Sequence, residues 1–517
     1  MSPSDSPALP SASEVERSLR ELRERGQVEV REDGELLAGL VNPEFELRER
    51  SGKLVLQLWS SGATLVRRIQ SVIAEEESRI EFAVQKFGKT RPGRLEVRAR
   101  DFALAPGRIT REQFRARFRE LLAKQFPDED VVSLTTAADL QRSFSGNYAR
   151  GVQSRGRESS AVLGVPPTES AASADAALAF ALLWLAWVRE HNPKKRVAGL
   201  RLFLPEGRSQ VSCHRLQALS RDLPVEIYEL EWAHGTARRV DPRDAGNLDS
   251  HLVPRRQIER LREEAAAAMA ALGPSAAGKL PGLSFDAAVN HGVDAVAVPG
   301  TRAVSWRFRG LEFARYEAGV VRVTDDSGEL VPAASRPEMV GARLKALQQF
   351  RRPEPPDAHH PLYRAQAERW LESLILEDPG RIEPRLDPRF VYCQVPTFSF
   401  TDRAVLDLLG ATRDGRLVVM ELKVDEDLQL LLQALDYWLR VRGHRAQGDL
   451  ENLGYFPGLP LADRAPLLYL VAPGLRFHPA TDTLLRFVSR DVEIVRIGLN
   501  EEWRKGLRVL FRQDRSG

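Results

Sequence analysis

Three ionisable residues near the C-terminal end of the chain, Asp407, Glu421 and Lys423, have the types and spacing for hydrolytic chemistry. Asp407 lies in an apolar run at residues 404–410, and Glu421 and Lys423 lie in a second apolar run at residues 416–424. Each run is short and rich in Val and Leu, which predicts two buried strands. The sequence therefore predicts that two carboxylates and an amine meet at one end of a hairpin.

The strand period decides which of these side chains share a face. Residues 412–415 predict the turn between the strands, and alternation places Glu421 and Lys423 on one face with Leu422 turned into the core. Three charged groups at the edge of an apolar sheet are costly to desolvate unless a cation or a ligand compensates them. The pattern thus favours a binding site over a plain surface hairpin.

Metal-dependent phosphodiester hydrolysis is the chemistry that this trio suits. Asp407, Glu421 and the carbonyl of Leu422 offer hard oxygen ligands for one or two Mg²⁺ ions. Lys423 could orient or help to deprotonate a bound water, a role open to a Lys whose pKa burial depresses. The alternative is a surface hairpin with an ordinary Glu–Lys pair. Because the chain has 10 Lys against 65 Arg, a Lys at this position favours the functional interpretation.

Two flanking segments predict helices that complete the site. Residues 426–440 carry Leu on one side and place Gln433 and Tyr437, four residues apart, on a second face. Upstream, residues 361–376 predict a helix that carries Glu368 and ends before a proline. The alternative for this helix is a packing role with its acids in solvent.

This order of residues resembles the PD-(D/E)XK nuclease superfamily, in the branch whose following helix carries Gln-x-x-x-Tyr. The segments around Glu368, Asp407 and Glu421-Leu-Lys423 are most similar to the catalytic domain of NucS-type mismatch endonucleases. The resemblance covers residues 361–500, and Leu406 stands where the motif name has Pro. It implies a restriction-endonuclease-like mixed sheet flanked by helices.

The resemblance also implies roles, a cofactor and a partner. Glu368, Asp407 and Glu421 would bind Mg²⁺ or Mn²⁺ together with Leu422, Lys423 would handle the water, and Gln433 and Tyr437 would position the strand. The implied activity is a metal-dependent DNA endonuclease, or deoxyribonuclease, in DNA repair or restriction-like defence. A non-catalytic nucleic-acid-binding scaffold and an RNase of the same fold are the alternatives. DNA is the expected partner, and assembly as a homodimer is left open.

Composition predicts a multidomain α/β protein of the reducing cytoplasm. The 517 residues suffice for several domains, two Cys exclude a disulfide framework, and no signal pattern opens the chain. The apolar run at residues 176–188 is too short to cross a bilayer, so no membrane partner is expected. Seven segments are predicted, listed here in order: a disordered tail and charged helix at 1–36, a small basic α/β domain at 37–109, an α/β domain at 110–250, a helical strut and linker at 251–282, a β-rich subdomain with a helix at 283–350, a linker at 351–357 and the nuclease domain at 361–517.

A basic loop in the small N-terminal domain predicts DNA contact. Residues 86–94 concentrate Lys86, Lys89, Arg91 and Arg94 on a Gly/Pro scaffold, as surfaces that track phosphates do. The alternative is that an Arg-rich chain scatters such clusters. A strand at 304–309, where aromatic and basic residues alternate, is better explained by a half-buried antiparallel sheet than by a nucleic-acid-binding face.

The middle of the chain is interpreted as a degenerate second copy of the C-terminal domain. Residues 147–227 repeat the predicted order of hairpin, apolar helix and strands, and both segments contain a Ser-Arg-Asp turn before a Val-Glu-Ile strand. In a gapless alignment Arg150, Gly164 and Pro166 stand in place of Asp407, Glu421 and Lys423. This copy is therefore predicted to lack the metal. The alternative is a chance match between two α/β layers.

Overall fold

A computed structural model of the chain contains four β-sheets and twelve α-helices in its described residues. It describes residues 12–25, 28–32, 35–41, 43–50, 53–59, 64–76, 79–85, 93–99, 110–139, 142–192, 195–232, 234–242, 251–273, 292–298, 301–324, 330–398 and 405–515. The chain divides into two units, the first formed by residues 1–108 and the second beginning at residue 109. The multidomain α/β prediction is confirmed.

The first unit is a seven-stranded antiparallel sheet with one helix packed on it. Its elements are α1 (Ala12–Arg25), β1 (Val28–Glu32), β2 (Glu35–Val41), β3 (Glu44–Arg50), β4 (Lys53–Trp59), β5 (Thr64–Glu76), β6 (Arg79–Gln85) and β7 (Gly93–Ala99). The sheet order is β2-β1-β7-β6-β5-β4-β3. Strand β1 pairs with β7 in this sheet, and α1 packs its apolar side chains into the core of the sheet. The predicted start of the domain at residue 37 is therefore too late.

The spacing of apolar residues over 63–76 predicts a helix, and this prediction is wrong. Residues 64–76 form β5, which pairs with β4 over residues 64–69 and with β6 over residues 68–76. Two register shifts, between Ile69 and Ser71 and between Val72 and Ala74, interrupt the alternation of inward side chains. Such bulges insert extra residues into one strand, so that Leu65, Ile69 and Val72 acquire the spacing of a helix face.

The second unit contains three regions, of which the middle region (residues 110–242) comes first. Its elements are α2 (Arg111–Gln125), β8 (Asp130–Thr135), β9 (Ala149–Arg155), β10 (Glu158–Gly164), α3 (Ala171–His191), β11 (Arg196–Pro205), α4 (Gln210–Leu216), β12 (Val225–Glu231) and β13 (Thr236–Val240). The six strands form one sheet in chain order. The β10–β11 and β11–β12 pairs are parallel and the others are antiparallel.

Helix α3 is the most apolar helix of this region. It is longer than the predicted apolar run, and by length and composition alone it could cross a membrane. In the structure, Leu178, Leu182 and Leu185 are fully buried in a hydrophobic core. Burial of this kind is expected of the core helix of a sheet-and-helix layer.

The β-rich region (residues 251–350) is a five-stranded antiparallel sheet covered by helices. Its elements are β14 (His251–Leu252), α5 (Arg255–Ala271), β15 (Val293–Val298), β16 (Ala303–Phe308), β17 (Leu311–Glu317), β18 (Val320–Thr324), β19 (Leu330–Pro332) and α6 (Glu338–Phe350). Strand β14 instead joins the sheet of the next region. Helix α5, predicted as a strut, packs Ala265 and Met269 into the core of this sheet. The linker predicted at the end of the 251–282 segment falls almost wholly outside the described residues.

The segment predicted as a linker at residues 351–357 begins with a buried contact. Arg351 is 0% exposed, and its Nη1 donates to the carbonyls of Leu362 and Ala365, each at 2.8 Å. The same guanidinium donates to the carbonyl of Arg309. Burial lowers the pKa of Arg351 to about 9. This residue therefore fastens the β-rich region to the one that follows.

The C-terminal region (residues 361–515) is a mixed sheet with helices on both faces. Its elements are α7 (Pro361–Arg364), α8 (Ala367–Glu377), α9 (Pro379–Ile382), β20 (Leu386–Phe398), β21 (Val405–Thr412), β22 (Leu417–Leu422), α10 (Leu430–Gln447), α11 (Asp449–Asn452), β23 (Leu467–Pro473), α12 (Thr481–Leu485), β24 (Ile494–Leu499) and β25 (Val509–Asp514). The strands follow chain order after β14. The β22–β23 and β23–β24 pairs are parallel, and the other consecutive pairs are antiparallel.

Candidate active site

The β21–β22 hairpin brings Asp407 and Glu421 together. Leu408 lies opposite Met420 in this hairpin, so the register places Asp407 across from Glu421 one residue further on. Strand β22 is buried along its whole length. The turn closes through Gly415, whose φ of +82° suits a residue without a side chain. The predicted hairpin and its carboxylate pair are thus present.

Asp407 is fixed by the backbone of the neighbouring strand. Its Oδ2 accepts a hydrogen bond from the amide of Leu422 at 3.0 Å. Burial raises the pKa of Asp407, while the Leu422 amide works against that rise. One carboxylate oxygen is therefore held in place, and the side chain is costly to ionise without a compensating cation.

Glu421 is the most strongly perturbed acid of the site. It is 3% exposed, and its Oε2 is buried without a hydrogen-bond partner among the described residues. Burial and then the charge of Asp407 raise the pKa of Glu421 well above its ordinary value. A buried carboxyl pair of this kind holds either a proton or a cation. The orphaned oxygen and the hard donors of Asp407 and Glu421 fit a divalent cation such as Mg²⁺.

Lys423 lies between several carboxylates. Its Nζ is 3.7 Å from Glu421 Oε1, 3.8 Å from Glu368 Oε1 and 3.8 Å from Asp427 Oδ2. Burial opposes the charge on this amine, but the surrounding acids outweigh burial and raise the pKa of Lys423. The expectation that burial depresses this pKa is therefore wrong. The neighbouring acids therefore favour the ammonium form of Lys423, which donates hydrogen bonds.

Glu368 contacts the site only at the amine of Lys423 in the described structure. The predicted helix at 361–376 is broken at Gln366, which has a φ of +45°, so that α8 begins at Ala367 and carries Glu368 in its first turn. The Glu368 side chain is 45% exposed. In the part of the chain that the structure describes, no group of three or more His, Cys, Asp or Glu is arranged to hold a metal ion. The predicted convergence of three carboxylates is thus not seen, and Glu368 contacts the ammonium instead.

Helix α10 supplies the remaining predicted residues. It begins at Leu430, four residues later than predicted, and carries Gln433 and Tyr437 one turn apart. Burial and the charges of Glu421 and Asp407 raise the pKa of Tyr437, which places its hydroxyl in the field of the carboxyl pair. Gln433 Oε1 is buried without a hydrogen-bond partner among the described residues. The face shared by these two side chains is as predicted.

Two acids beside the site were not predicted as members of it. Asp427 contacts Lys423, and Glu372 lies one turn after Glu368 on α8. Glu372 accepts hydrogen bonds from Gln394 at 2.9 Å and from Arg369 at 3.1 Å. Burial raises the pKa of Glu372 to about 7, and the charge of Asp407 adds to the rise. Asp427 follows Lys423 by four residues, and Glu372 follows Glu368 by four residues. This spacing is the signal in the sequence that could have identified them.

The predicted DNA-contacting loop is described only at its end. Lys86, Lys89 and Arg91 lie outside the described residues. Arg94 is exposed on β7 and pairs with Glu81 at 3.4 Å. Cys213 is buried and Cys393 is half-buried, and both are free cysteines.

No protein-family model matches the chain, and no curated protein matches its sequence.

Proposed function

We propose that this protein is a metal-dependent DNA endonuclease whose catalytic region is residues 361–515, with a restriction-endonuclease-like fold of the PD-(D/E)XK type. The observation that carries the proposal is the buried Asp407–Glu421 pair on the interior strands β21 and β22, with the amine of Lys423 3.7 Å from Glu421. A mixed sheet with α8 packed on one face and α10 on the other supports the fold assignment.

The proposed metal site uses oxygen donors from both strands of the hairpin. Asp407 and Glu421 would hold Mg²⁺ or Mn²⁺ together with the carbonyl of Leu422. When bound, the ion supplies charge neutralisation at the phosphate and a lowered pKa for a coordinated water. The orphaned Oε2 of Glu421 supports this assignment because a buried carboxylate oxygen without a donor is otherwise unfavourable.

The other side chains bind and orient the substrate. Lys423 donates hydrogen bonds to a phosphate oxygen or to the attacking water, and Glu368 and Asp427 hold its amine in position. The Tyr437 hydroxyl stays protonated because its pKa is raised, so it acts as a donor to the phosphodiester. Gln433 offers an amide from the same helix face. These roles follow from donor chemistry and burial, with damaged, mismatched or branched DNA as the substrate class that the resemblance indicates.

A cleavage panel tests the proposal. The full-length chain is incubated with single-stranded, duplex, mismatched and branched DNA and with RNA, in Mg²⁺, in Mn²⁺ and in EDTA. We expect DNA cleavage that requires the metal and that falls by about 10²-fold or more in Lys423→Ala. Lys505→Ala is the matched control, because Lys505 is exposed and pairs only with Glu502 in the described structure.

The outcomes of the panel separate the candidates. Metal-dependent cutting that is lost in Lys423→Ala and kept in Lys505→Ala supports the nuclease. Cleavage of RNA alone would replace DNA by RNA as the substrate. Failure to cut any substrate in either metal would overturn the proposal.

Nucleic-acid binding without cleavage is the second candidate. It is favoured by one observation, that no group of three metal-ligating side chains is assembled in the described residues. If this candidate is correct, the wild type and Lys423→Ala should bind DNA equally and cut none of it.

A further inference from the structure

The middle region and the C-terminal region have the same topology. Strands β8 to β13 and strands β20 to β25 follow the same order, and each consecutive pair has the same direction in the two sheets. A helix precedes each set, a long helix joins the third and fourth strands, and a short helix joins the fourth and fifth. Helices α2, α3 and α4 therefore correspond to α8, α10 and α12.

The two regions exchange equivalent contacts. Helix α4 of the middle region packs on α10, and α12 of the C-terminal region packs on α3. After these short helices, Ser220 N–H donates to the carbonyl of Phe487 and Ser489 N–H donates to the carbonyl of Ala218, both at 2.8 Å. Leu219 and Val488 form an antiparallel bridge between the two bonds. Reciprocal contacts between equivalent residues are the mark of an interface with two-fold symmetry.

One hydrophobic core runs through this interface. It contains Leu182 of α3 and Leu435 of α10 together with side chains of both sheets. The two regions are thus arranged as a two-subunit assembly within one chain.

Backbone pairing identifies the positions that correspond to the candidate site. The amide of Lys423 donates to Val471 at 3.0 Å, and the amide of Val165 donates to Phe203 at 2.9 Å. Val165 therefore corresponds to Lys423. One residue earlier in each ladder, Glu421 lies opposite Leu470 and Leu163 lies opposite Leu202. Leu163 therefore corresponds to Glu421.

In the middle region, the position that corresponds to Asp407 is occupied by an arginine. Leu163 lies opposite Arg150, which therefore corresponds to Asp407, as the sequence alignment predicts. Gly164 faces the opposite side of its sheet, against Phe118. The predicted correspondence is therefore one residue off for Gly164 and Pro166.

Arg150 is bound inside the middle region. Its Nη1 donates to the carbonyl of Ser145 at 3.2 Å, and its Nη2 donates to the carbonyl of Ala137. Its guanidinium lies over the rings of Phe144 and Trp184 at 4.8 and 5.7 Å. A fixed positive charge occupies the position of a metal-binding carboxylate, and apolar side chains replace Glu421 and Lys423. The middle region therefore offers no cation site at this position.

From this asymmetry we infer that the chain nicks duplex DNA, cutting one strand in each binding event. The inference rests on the proposed function. The strands of a duplex are antiparallel and related by two-fold axes, so a two-fold arrangement of equivalent regions presents one region to each strand. Only the C-terminal region carries the acids and the amine. Each event forms one bond between a water oxygen and phosphorus and breaks one bond between phosphorus and a sugar oxygen, which takes up the proton that the water releases.

The test uses a covalently closed plasmid that carries the DNA structure cut fastest in the cleavage panel. We expect nicked circles to exceed linear product at least about tenfold early in the reaction, because a linear molecule needs two independent events. The linear product should appear after a lag that shortens as the protein concentration rises. Lys423→Ala should produce neither product.

Three outcomes decide the inference. Nicked circles that accumulate before linear DNA support it. Linear product that appears without a lag and in constant ratio to nicked circles would overturn it and leave the proposed nuclease function standing. If no substrate of the panel is cut at all, the proposed function fails and the inference fails with it. Light scattering of the complex with a short duplex in Ca²⁺ adds a readout independent of cleavage, since one chain per duplex is expected and two chains would contradict the inference.

Discussion

At the scale of single residues, burial of the carboxyl pair Asp407 and Glu421 lowers the stability of the folded chain unless a cation or a proton compensates it. The pKa of Glu421 is raised, so folding must either bury a charge or keep a proton that the unfolded chain releases at neutral pH. We expect Glu421→Gln to raise the free energy of unfolding in EDTA by about 1 kcal/mol. The measurement is denaturant unfolding at pH 7.5.

The same substitution should remove stabilisation by metal. Wild-type protein should gain about 2.7 kcal/mol in Mg²⁺ or Mn²⁺ at 100 times the dissociation constant, and Glu421→Gln should gain almost none. Glu426→Gln is the control because Glu426 is exposed a few residues further on. Equal metal stabilisation in all three proteins would show that the cation binds elsewhere.

Glu372 gives a prediction about pH. Its pKa of about 7 in the folded chain exceeds the ordinary value of 4.5, so the folded state holds a proton that the unfolded state has lost. The contribution of this group to stability therefore falls as the pH rises from about 4.5 to about 7. We expect Glu372→Gln to gain about 2–3 kcal/mol over wild type across this range, measured by unfolding at pH 4.5 and pH 8.

A substitution at an exposed acid elsewhere checks this assignment. Glu190 is exposed on α3, and Glu190→Gln should leave the pH dependence of wild type unchanged. If Glu372→Gln also leaves it unchanged, the buried carboxyl is not the group that titrates.

Residue types and spacing in the sequence predict which side chains lie together at the candidate site better than they predict the protonation state of each side chain. Asp407, Glu421 and Tyr437 could be identified because strand and helix periods fix which faces they share. The protonation of Lys423 could not, because it depends on Glu368 and Asp427, whose distances to its amine arise only in the folded chain.

At the scale of elements, the turn between β21 and β22 sets the distance between the two carboxylates. Gly415 has a positive φ, and a Cβ built there would overlap the carbonyl oxygen of Pro460. We expect Gly415→Ala to destabilise the protein by about 2–4 kcal/mol and to lower any cleavage activity. Thermal unfolding and the cleavage panel measure both effects.

The control for this turn is another Gly→Ala change in the same region. A Cβ at Gly443, inside α10, would meet no described atom within 4 Å. Gly443→Ala should stabilise the protein by about 0.5–1 kcal/mol. Equal effects at the two glycines would mean that the turn is not under steric constraint.

Regular elements could be predicted from the sequence and irregular ones could not. The β21–β22 hairpin follows from two apolar runs and a turn, and each is a local signal. The apolar spacing of strand β5 predicts a helix because two bulges in its ladder with β6 change the spacing of its inward residues. The break in the helix before α8 at Gln366 has no glycine or proline at that position to mark it.

At the scale of the whole molecule, the equivalence of the middle and C-terminal regions could be predicted only approximately. A gapless alignment assumes that the two hairpin turns have equal length. In the β9–β10 hairpin, however, the last paired residues are Arg155 and Glu158, whereas in the β21–β22 hairpin they are Ala411 and Leu417. The shorter turn shifts the second strand by one residue and moves its side chains to the other face. The order of elements and the match of Arg150 with Asp407 survive this shift, whereas the predicted matches on the second strand do not.

A buried ion pair ties the middle region to the C-terminal region. Arg215 on α4 pairs with Asp436 on α10 at 2.8 Å, and their side chains are 6% and 16% exposed. Removing one partner leaves a buried charge alone, so Arg215→Met should cost about 3–5 kcal/mol. The double variant Arg215→Met, Asp436→Leu should cost less than the sum of the two single changes. Because one core joins the regions, hydrogen exchange should show β10 and β22 losing protection together in Arg215→Met. Loss of protection in β10 alone would mean that the regions unfold independently and that the two-fold arrangement is not a single cooperative unit.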